Sequence, residues 1–259
     1  MEVLIGTLVF IFGTLIGSFL NVCIYRLPLE RSIITKPSSC ASCGARLNAL
    51  DLIPILSYAL LLGRCRRCKA RISVIYPTVE ALTGTLYLLL YIKFGLDWVL
   101  PVYAALISLL IVAAFIDMRH MIIPNGIVIA GLIVGAVQLS AAVFTGVFGL
   151  WHSYVIGFFA GGLPLLIIAF LAKLVLKREA MGGGDIKLMA FCGLIIGWKL
   201  IIPAYLTGFI AGALIMVLLI AAGRKKRGDE IPFGPFLALG VTVSLFIGNE
   251  LIDWYLGLL

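Results

Sequence analysis

Three carboxylates lie in or beside apolar stretches of the chain, where ionisable side chains are costly and commonly functional. They are Glu80, Asp117 and Asp185. Two aspartates that face each other can share one proton, because like charges a few ångströms apart do not both ionise easily. The ionised carboxylate then takes a proton from water while the neutral one donates to a scissile carbonyl. Asp117 and Asp185 are therefore candidates for aspartic proteolysis, a reaction without a metal or a covalent intermediate.

Three glycines directly precede Asp185, namely Gly182, Gly183 and Gly184. A backbone without side chains can approach an extended peptide closely and adopt dihedral angles that other residues avoid. An extended substrate could then pair with this segment as an added strand. We therefore expect the glycines to support substrate binding. The alternative for Asp185 is a helix N-cap, and the alternative for Asp117 is a charge that snorkels to the membrane surface.

Four of the six cysteines form two C-x2-C pairs separated by 21 residues. They are Cys40 and Cys43 in the first pair, and Cys65 and Cys68 in the second. Two such turns can place four thiolates at the corners of a tetrahedron, and Zn²⁺ accepts four sulfur ligands without geometric strain. We predict a closed, structural zinc site, since four protein ligands leave no position for water. A pair of disulfides is the alternative, which a reducing cytoplasm disfavours.

Basic residues crowd the second cysteine pair. A zinc ribbon with such charges could bind nucleic acid, but the charges also offset the thiolates and suit anionic lipid. We therefore predict contact with membrane lipid and no nucleic-acid partner. The residues are Arg64, Arg66, Arg67, Lys69 and Arg71.

The composition places these residues in a membrane protein. Hydrophobic residues make up 63% of the 259 residues and charged residues only 12%, whereas soluble domains have about 45–50% and about 25%. A soluble enzyme, a disulfide-rich secreted scaffold and a disordered chain are excluded. Long apolar runs favour helices over a barrel, whose strands alternate. Eight segments are predicted to be membrane helices: 3–25, 76–92, 98–116, 126–145, 153–172, 186–198, 200–223 and 231–249.

The distribution of charge predicts how these helices are oriented. The net charge is +8, and basic residues accumulate in cytoplasmic loops. If the short segment 186–198 crosses the membrane, 18 of the 20 basic residues fall on the side of the loop 26–75. We therefore expect an all-α polytopic membrane protein with about eight transmembrane helices, both termini outside, and a sixth helix that is short, tilted or partly buried. Its domains would be transmembrane helix 1 (1–25), a small cytoplasmic zinc-binding loop domain (26–75) and a seven-helix membrane protease core (76–259).

Several motifs in combination resemble the type 4 prepilin peptidase family, whose members are GxGD aspartic membrane proteases. The two cysteine pairs also lie where bacterial members of that family carry theirs. The motifs are Gly17-Ser18-Phe19-Leu20-Asn21-Val22 with Tyr25-Arg26-Leu27-Pro28, Tyr76-Pro77-Thr78-Val79-Glu80, Asp117 with Ile123-Pro124-Asn125, and Gly182-Gly183-Gly184-Asp185.

The resemblance implies a reaction and a place in the cell. Asp117 and Asp185 match the family's catalytic pair. They would cleave the short basic leader of a type IV prepilin or pseudopilin after a glycine, at the cytoplasmic face of a bacterial inner membrane. Many bacterial members then methylate the new N-terminus with S-adenosylmethionine, and we expect this activity here. The substrates would belong to a type IV pilus or a type II secretion system. Glu80 could read the charge of the leader or a substrate amine, or it could be a hydrogen-bonded packing residue.

Two other functions fit parts of the pattern. One is a GxGD protease that acts on other membrane proteins. Only a substrate test would distinguish such a protease from a prepilin peptidase. The other is a transporter or membrane scaffold with a zinc-ribbon loop, because intramembrane acids also mark ion and proton pathways. Transport sites usually lie near the bilayer midplane, whereas both aspartates are predicted at one membrane boundary. That position favours chemistry on a peptide that enters from the cytoplasm.

Overall fold

A computed structural model describes residues 1–35, 37–144, 148–176, 182–226 and 231–258 of the chain. Within these residues the regular secondary structure is helical and no extended strand occurs, so the all-α prediction is confirmed. Four basic residues used to predict the orientation lie outside the described residues, namely Lys36, Lys177, Arg178 and Arg227. The helices are α1 (Glu2–Arg26), α2 (Leu56–Leu60), α3 (Ile75–Phe94), α4 (Val99–His120), α5 (Asn125–Phe144), α6 (Phe148–Leu176), α7 (Gly183–Ile196), α8 (Trp198–Ala221) and α9 (Gly234–Leu256).

Seven of the described helices are long and apolar enough to cross a bilayer. They are all of the helices except the short α2 and α7, and α7 has 14 residues. A helix of that length spans ~21 Å, which is less than the ~30 Å of a hydrocarbon core. The polytopic prediction is therefore confirmed for seven segments. The crossing of the membrane by α7 stays a prediction.

Contacts divide the chain inside α4 into two compact units, Met1–Val112 and Ala113–Leu259. The predicted domains 1–25, 26–75 and 76–259 follow the expected membrane boundaries instead of the contacts. That division stays a prediction.

In the first unit, α1 packs along α3 because glycines let the two backbones approach. A Cβ added to Gly13 would lie 2.8 Å from the Gly84 Cα. A Cβ added to Gly17 would lie 2.7 Å from the Glu80 Cα. Small residues allow this kind of close packing between membrane helices. The glycine of the N-terminal motif, Gly17, is therefore needed where α1 passes Glu80.

The second unit is built around α7, which lies against α5 and α6. Its side chains Leu188, Met189, Phe191 and Cys192 have no exposed surface. A helix enclosed by other helices need not present a full-length apolar surface to lipid. Burial therefore explains why the apolar segment that predicts this helix is shorter than a full membrane span. The expectation that the helix is partly buried is confirmed.

The backbones of α6 and α7 are in direct contact through glycines on both helices. A Cβ added to Gly157 would overlap the carbonyl group of Gly193, and a Cβ added to Gly161 would overlap the carbonyl group of Met189. No side chain can be accommodated between the helices at these two levels. The position of α7 is therefore fixed by backbone contact as well as by its apolar side chains.

We expect Gly157→Ala to destabilise the protein, because the added methyl group must push α6 away from α7. Overpacking of this kind costs about 1–3 kcal/mol. Thermal unfolding in detergent, followed by circular dichroism, measures the effect. Gly126→Ala in α5 is the matched control, since no heavy atom lies within 4 Å of a Cβ added there. Equal unfolding temperatures for the two variants would contradict the close packing.

Candidate active site and metal site

Asp117 lies in the last turn of α4 with only 5% of its surface exposed. Its Oδ2 accepts a hydrogen bond of 2.8 Å from the backbone N–H of Gly234, the first residue of α9. The N-terminus of a helix carries partial positive charge and favours a carboxylate. A Cβ at Gly234 would lie 2.8 Å from the same Oδ2. Glycine at this position therefore lets the backbone reach the carboxylate.

Asp185 lies in the first turn of α7 and is 8% exposed. The N-cap of α7 is Gly182, and no side chain among the described residues caps the helix. Asp185 is the third residue of the helix, so the alternative of an N-cap role is wrong. No described residue donates a hydrogen bond to its carboxylate.

The structure brings the carboxylates of Asp117 and Asp185 close enough to repel each other electrostatically. The segments around them also meet. A Cβ added to Gly184 would lie 3.0 Å from the Ile123 Cβ. Lys187 Nζ donates a hydrogen bond of 3.1 Å to Asn125 Oδ1. The Gly-Gly-Gly-Asp segment at the start of α7 therefore lies beside the Ile-Pro-Asn segment at the start of α5.

The other two glycines of this segment leave open space beside Asp185. A Cβ added to Gly183 would meet no heavy atom of the described residues within 4 Å, and a Cβ added to Gly182 would approach Asp185 Oδ2 only to 3.9 Å. Among the described residues, neither glycine is needed for packing, unlike Gly184.

Sequence reasoning missed the contribution of Gly234. The pair Gly234-Pro235 does indicate the start of a helix, because proline is favoured in the first turn. It does not indicate which carboxylate that helix start faces. The hydrogen bond joins residues 117 positions apart, and no local pattern could have found it.

Glu80 lies in α3 within the first unit and is 7% exposed. Its Oε2 accepts a hydrogen bond of 2.8 Å from the backbone N–H of Ile55. The Ser18 side chain also hydrogen-bonds to the carboxylate. These partners match the packing role that was the alternative for Glu80, and they attach the loop between α1 and α3 to both helices.

The four paired cysteines converge on one point of that loop. Their sulfur atoms all lie within 4.8 Å of one another, and the thiols are free. The two pairs occupy matching turns, in which Gly44 N–H donates to Cys40 O and Lys69 N–H donates to Cys65 O. Four sulfurs in one cluster are the donor set that Zn²⁺ prefers. The cluster can therefore bind a zinc ion.

Charge in the cluster is unevenly distributed among the thiols. Backbone N–H groups of Cys43 and Ser42 donate to the Cys40 sulfur and lower its pKa to about 6. At Cys68 the backbone N–H of Ala70 favours the thiolate, but the neighbouring thiols outweigh it and raise the pKa to about 11. Four thiols this close do not all ionise by themselves. A divalent cation would stabilise the four thiolates together.

Comparison with protein families gives two matches that together cover most of the chain. The Bacterial Peptidase A24 N-terminal domain matches residues 11–94. The Type IV leader peptidase family matches residues 104–217. The first match includes the cysteine cluster and Glu80, and the second includes both candidate aspartates.

Individual relatives match over nearly their whole length. A protein of Bacillus subtilis (strain 168) is 36% identical over 96% of this chain and 97% of its own. Proteins of Pseudomonas putida and Aeromonas hydrophila are each 34% identical, over 95% and 96% of this chain and 91% and 93% of their own. Each carries the name prepilin leader peptidase/N-methyltransferase. No solved structure matches the chain. The extent of these matches shows that the chain belongs to the type IV leader peptidase family.

Proposed function

We propose that this membrane protein cleaves the basic leader of type IV prepilins or pseudopilins after a glycine, and then methylates the new N-terminus. The observation that carries the peptidase proposal is the pair of buried carboxylates, Asp117 in the last turn of α4 and Asp185 in the first turn of α7. The relatives named above supply the substrate class and the second activity.

The two carboxylates have different surroundings, which suggests different roles. The N–H of Gly234 stabilises the ionised form of Asp117 and leaves its second oxygen for a water molecule. Asp185 receives no such bond from a described residue and is repelled by Asp117, so it carries the shared proton. Asp117 takes a proton from water as the water oxygen attacks the scissile carbonyl, and Asp185 donates its proton to the carbonyl oxygen. Asp117 then passes the proton it took from water to the leaving amine nitrogen as the C–N bond breaks, and Asp185 regains a proton from a hydroxyl of the tetrahedral intermediate, which becomes the new carboxyl group.

The position of the pair fits a substrate that is cut at the membrane boundary. Asp117 is three residues from the end of α4, and Asp185 is in the first turn of α7. A prepilin changes from a basic leader to an apolar helix near its cleavage site, so its scissile bond would lie at the same boundary. A transport site would be expected near the midplane.

Charge at the helix ends supports the cytoplasmic face as the side of cleavage. Four of the described helices carry Lys or Arg in the last turn, namely Arg26 in α1, Lys93 in α3, Arg119 in α4 and Lys173 in α6. If consecutive membrane helices alternate in direction, the ends of α1, α4 and α6 share the side of the cysteine loop and only the end of α3 lies opposite. Basic residues favour the cytoplasmic side.

The methyl donor would be S-adenosylmethionine, which supplies the transferred methyl group when bound. The described residues contain no recognisable nucleotide-binding glycine motif, so we assign no residues to this site and derive no step through it. The zinc ion would be structural, because Cys40, Cys43, Cys65 and Cys68 provide a complete tetrahedral set.

We expect Asp117→Asn and Asp185→Asn to abolish cleavage of a purified prepilin, because an amide neither takes the proton from water nor shares it. The increased mobility of the shortened prepilin on a denaturing gel measures cleavage, and circular dichroism in detergent checks that the helices form. Asp97→Asn is the matched control, since Asp97 is an exposed residue between α3 and α4. Cleavage by either of the first two variants would contradict the proposed catalytic role of this pair.

Gly234→Ala is predicted to slow cleavage by about 10–100-fold, since a displacement of about 1 Å can cost a factor of this size. The added Cβ forces the Asp117 carboxylate away from the backbone N–H that orients it. Initial rates at saturating prepilin report the effect on the chemical step. Gly126→Ala should cleave at the wild-type rate. Wild-type kinetics for Gly234→Ala would show that this hydrogen bond has no catalytic importance.

The zinc content of the purified protein is predicted to be one ion per chain and to fall on replacement of a ligand. Cys65→Ser should lose most of the zinc and unfold at a lower temperature, because the loop loses the ion that joins its two turns. Metal analysis by mass spectrometry measures the content. Cys23→Ala is the control, since Cys23 is buried in α1, outside the cluster. Full zinc in Cys65→Ser would exclude Cys65 as a ligand.

Acidification should also release the zinc, because protons compete with the metal for thiolates. The Cys40 thiol has a pKa of about 6 and keeps its charge to lower pH than Cys68, whose pKa is about 11. Zinc should therefore be fully bound at alkaline pH and be lost progressively as the pH falls. A chromophoric chelator follows the release. Release that is independent of pH would contradict thiolate ligation.

A further inference from the structure

The loop between α1 and α3 exposes apolar side chains in residues 49–62, which we call the leucine segment. It consists of a 3-10 turn, Ala49–Leu52, and the short helix α2. Leu56 is 61% exposed and Leu60 is 83% exposed. These two side chains are four residues apart and therefore share one face of α2. Several leucines exposed in so short a segment form an apolar surface that water does not favour.

One hydrogen bond fixes the depth of the leucine segment relative to the membrane helices. The Ile55 N–H donates to Glu80 Oε2, and Glu80 lies five residues inside α3, which corresponds to ~7.5 Å along the helix axis. Ser18, the other partner of Glu80, lies eight residues before the end of α1, or ~12 Å along that axis. The start of α2 therefore lies alongside the apolar spans and does not project beyond their ends.

Ile55 has an unusual backbone conformation at this bond. Its φ is +61°, in the left-handed region, where a β-branched residue is a genuine outlier. Such strain persists only where the surrounding structure holds it. The bond to the Glu80 carboxylate and the bond from the Leu56 N–H to Pro54 O both hold this turn, so the depth of Leu56 is specified by the fold.

The leucine segment is also joined to the second cysteine turn. Arg66 Nε donates to Asp51 Oδ1 at 2.7 Å, and the bond lowers the pKa of Asp51. Ile72 N–H donates to Gly63 O at 2.8 Å, directly after the leucine segment. The exposed leucines and the turn around Cys65 therefore form one connected structure.

The charge next to the leucine segment is strongly positive. Residues 26–75 contain nine basic and two acidic residues, and one of the acids, Asp51, is paired with Arg66. Four other basic side chains near the second cysteine pair are exposed. They are Arg64, Arg67, Lys69 and Arg71. We call residues 64–71 the basic run. An anionic surface complements the basic run, whereas the basic leader of a prepilin would be repelled by it.

We propose that the leucine segment is an interfacial lipid-binding element. Its leucines insert among the acyl chains of the adjacent leaflet, and the basic run 64–71 binds the headgroups of anionic phospholipid. An apolar face beside a basic face is the arrangement of helices that lie in a membrane surface. The element continues the lipid-facing surface of α1 and α3 and does not depend on the peptidase reaction.

Photocrosslinking in the full-length protein tests the apolar part. The photoreactive residue p-benzoyl-L-phenylalanine replaces Leu56 in one sample and Leu60 in another, and the proteins are placed in nanodiscs of phosphatidylcholine and phosphatidylglycerol. The same replacement at Leu206, which is exposed in the span α8, gives the reference yield for lipid. Ile34 is the control, because it lies in the turn that Arg26 holds at the end of α1.

Mass spectrometry should find phospholipid adducts at Leu56 at a yield close to that of Leu206 and about fivefold above Ile34, as expected for an inserted apolar face. A yield at both Leu56 and Leu60 no higher than at Ile34 would overturn the proposal. Adducts mainly to another part of the protein, to a second copy or to added prepilin would also overturn it. Zinc content shows that each labelled protein is folded.

A charge variant tests the headgroup part. Arg64→Gln, Arg67→Gln and Arg71→Gln combined remove three exposed charges without touching the Arg66 bond to Asp51. Native mass spectrometry in mixed lipid should show wild-type protein retaining phosphatidylglycerol over phosphatidylcholine, and the variant losing that preference. An unchanged preference would exclude the basic run as the headgroup site.

Discussion

The structure of the second unit must offset the electrostatic cost of holding two carboxylates together among apolar helices. Desolvation raises the free energy of each charge, and their mutual repulsion raises it further. The backbone N–H of Gly234 offsets part of that cost at Asp117. Asp185, in the first turn of α7, adds less to that cost when the pair shares one proton, because only one of the two carboxyl groups is then charged. The starts of α7 and α9 and the end of α4 must therefore converge, and the glycine contacts between α6 and α7 hold this arrangement.

Much of the arrangement could be predicted from residue types and spacing. The apolar runs determined the long helices, because lipid leaves few alternatives to a hydrogen-bonded helix. Asp117 and Asp185 were recognisable because charge is rare in such runs, and the cysteine pairs because their spacing suits a tetrahedral metal. The bond from Gly234 to Asp117 and the bond from Ile55 to Glu80 were not predictable. Both join backbone to side chain across long sequence separations, and a backbone N–H has no signature in the sequence.

The loop between α1 and α3 solves a different physical problem. A segment of about 50 residues has too little apolar surface to fold alone, and such small units usually need a metal or a covalent link. Here the cysteine cluster joins two turns within the loop, while Glu80 attaches the loop to the first two long helices. A structural zinc ion and a membrane-anchored segment would complement each other, since one orders the loop internally and the other fixes its position.

The most direct test of the central claim is mass spectrometry of a purified prepilin after incubation with the detergent-solubilised enzyme and S-adenosylmethionine. We expect the prepilin to lose its leader and to gain one methyl group on the new N-terminus. Loss of the leader without methylation would support the peptidase activity and contradict the methyltransferase activity. An intact prepilin, with an enzyme that is folded and zinc-loaded, would contradict the proposed reaction and favour another substrate or a transport function.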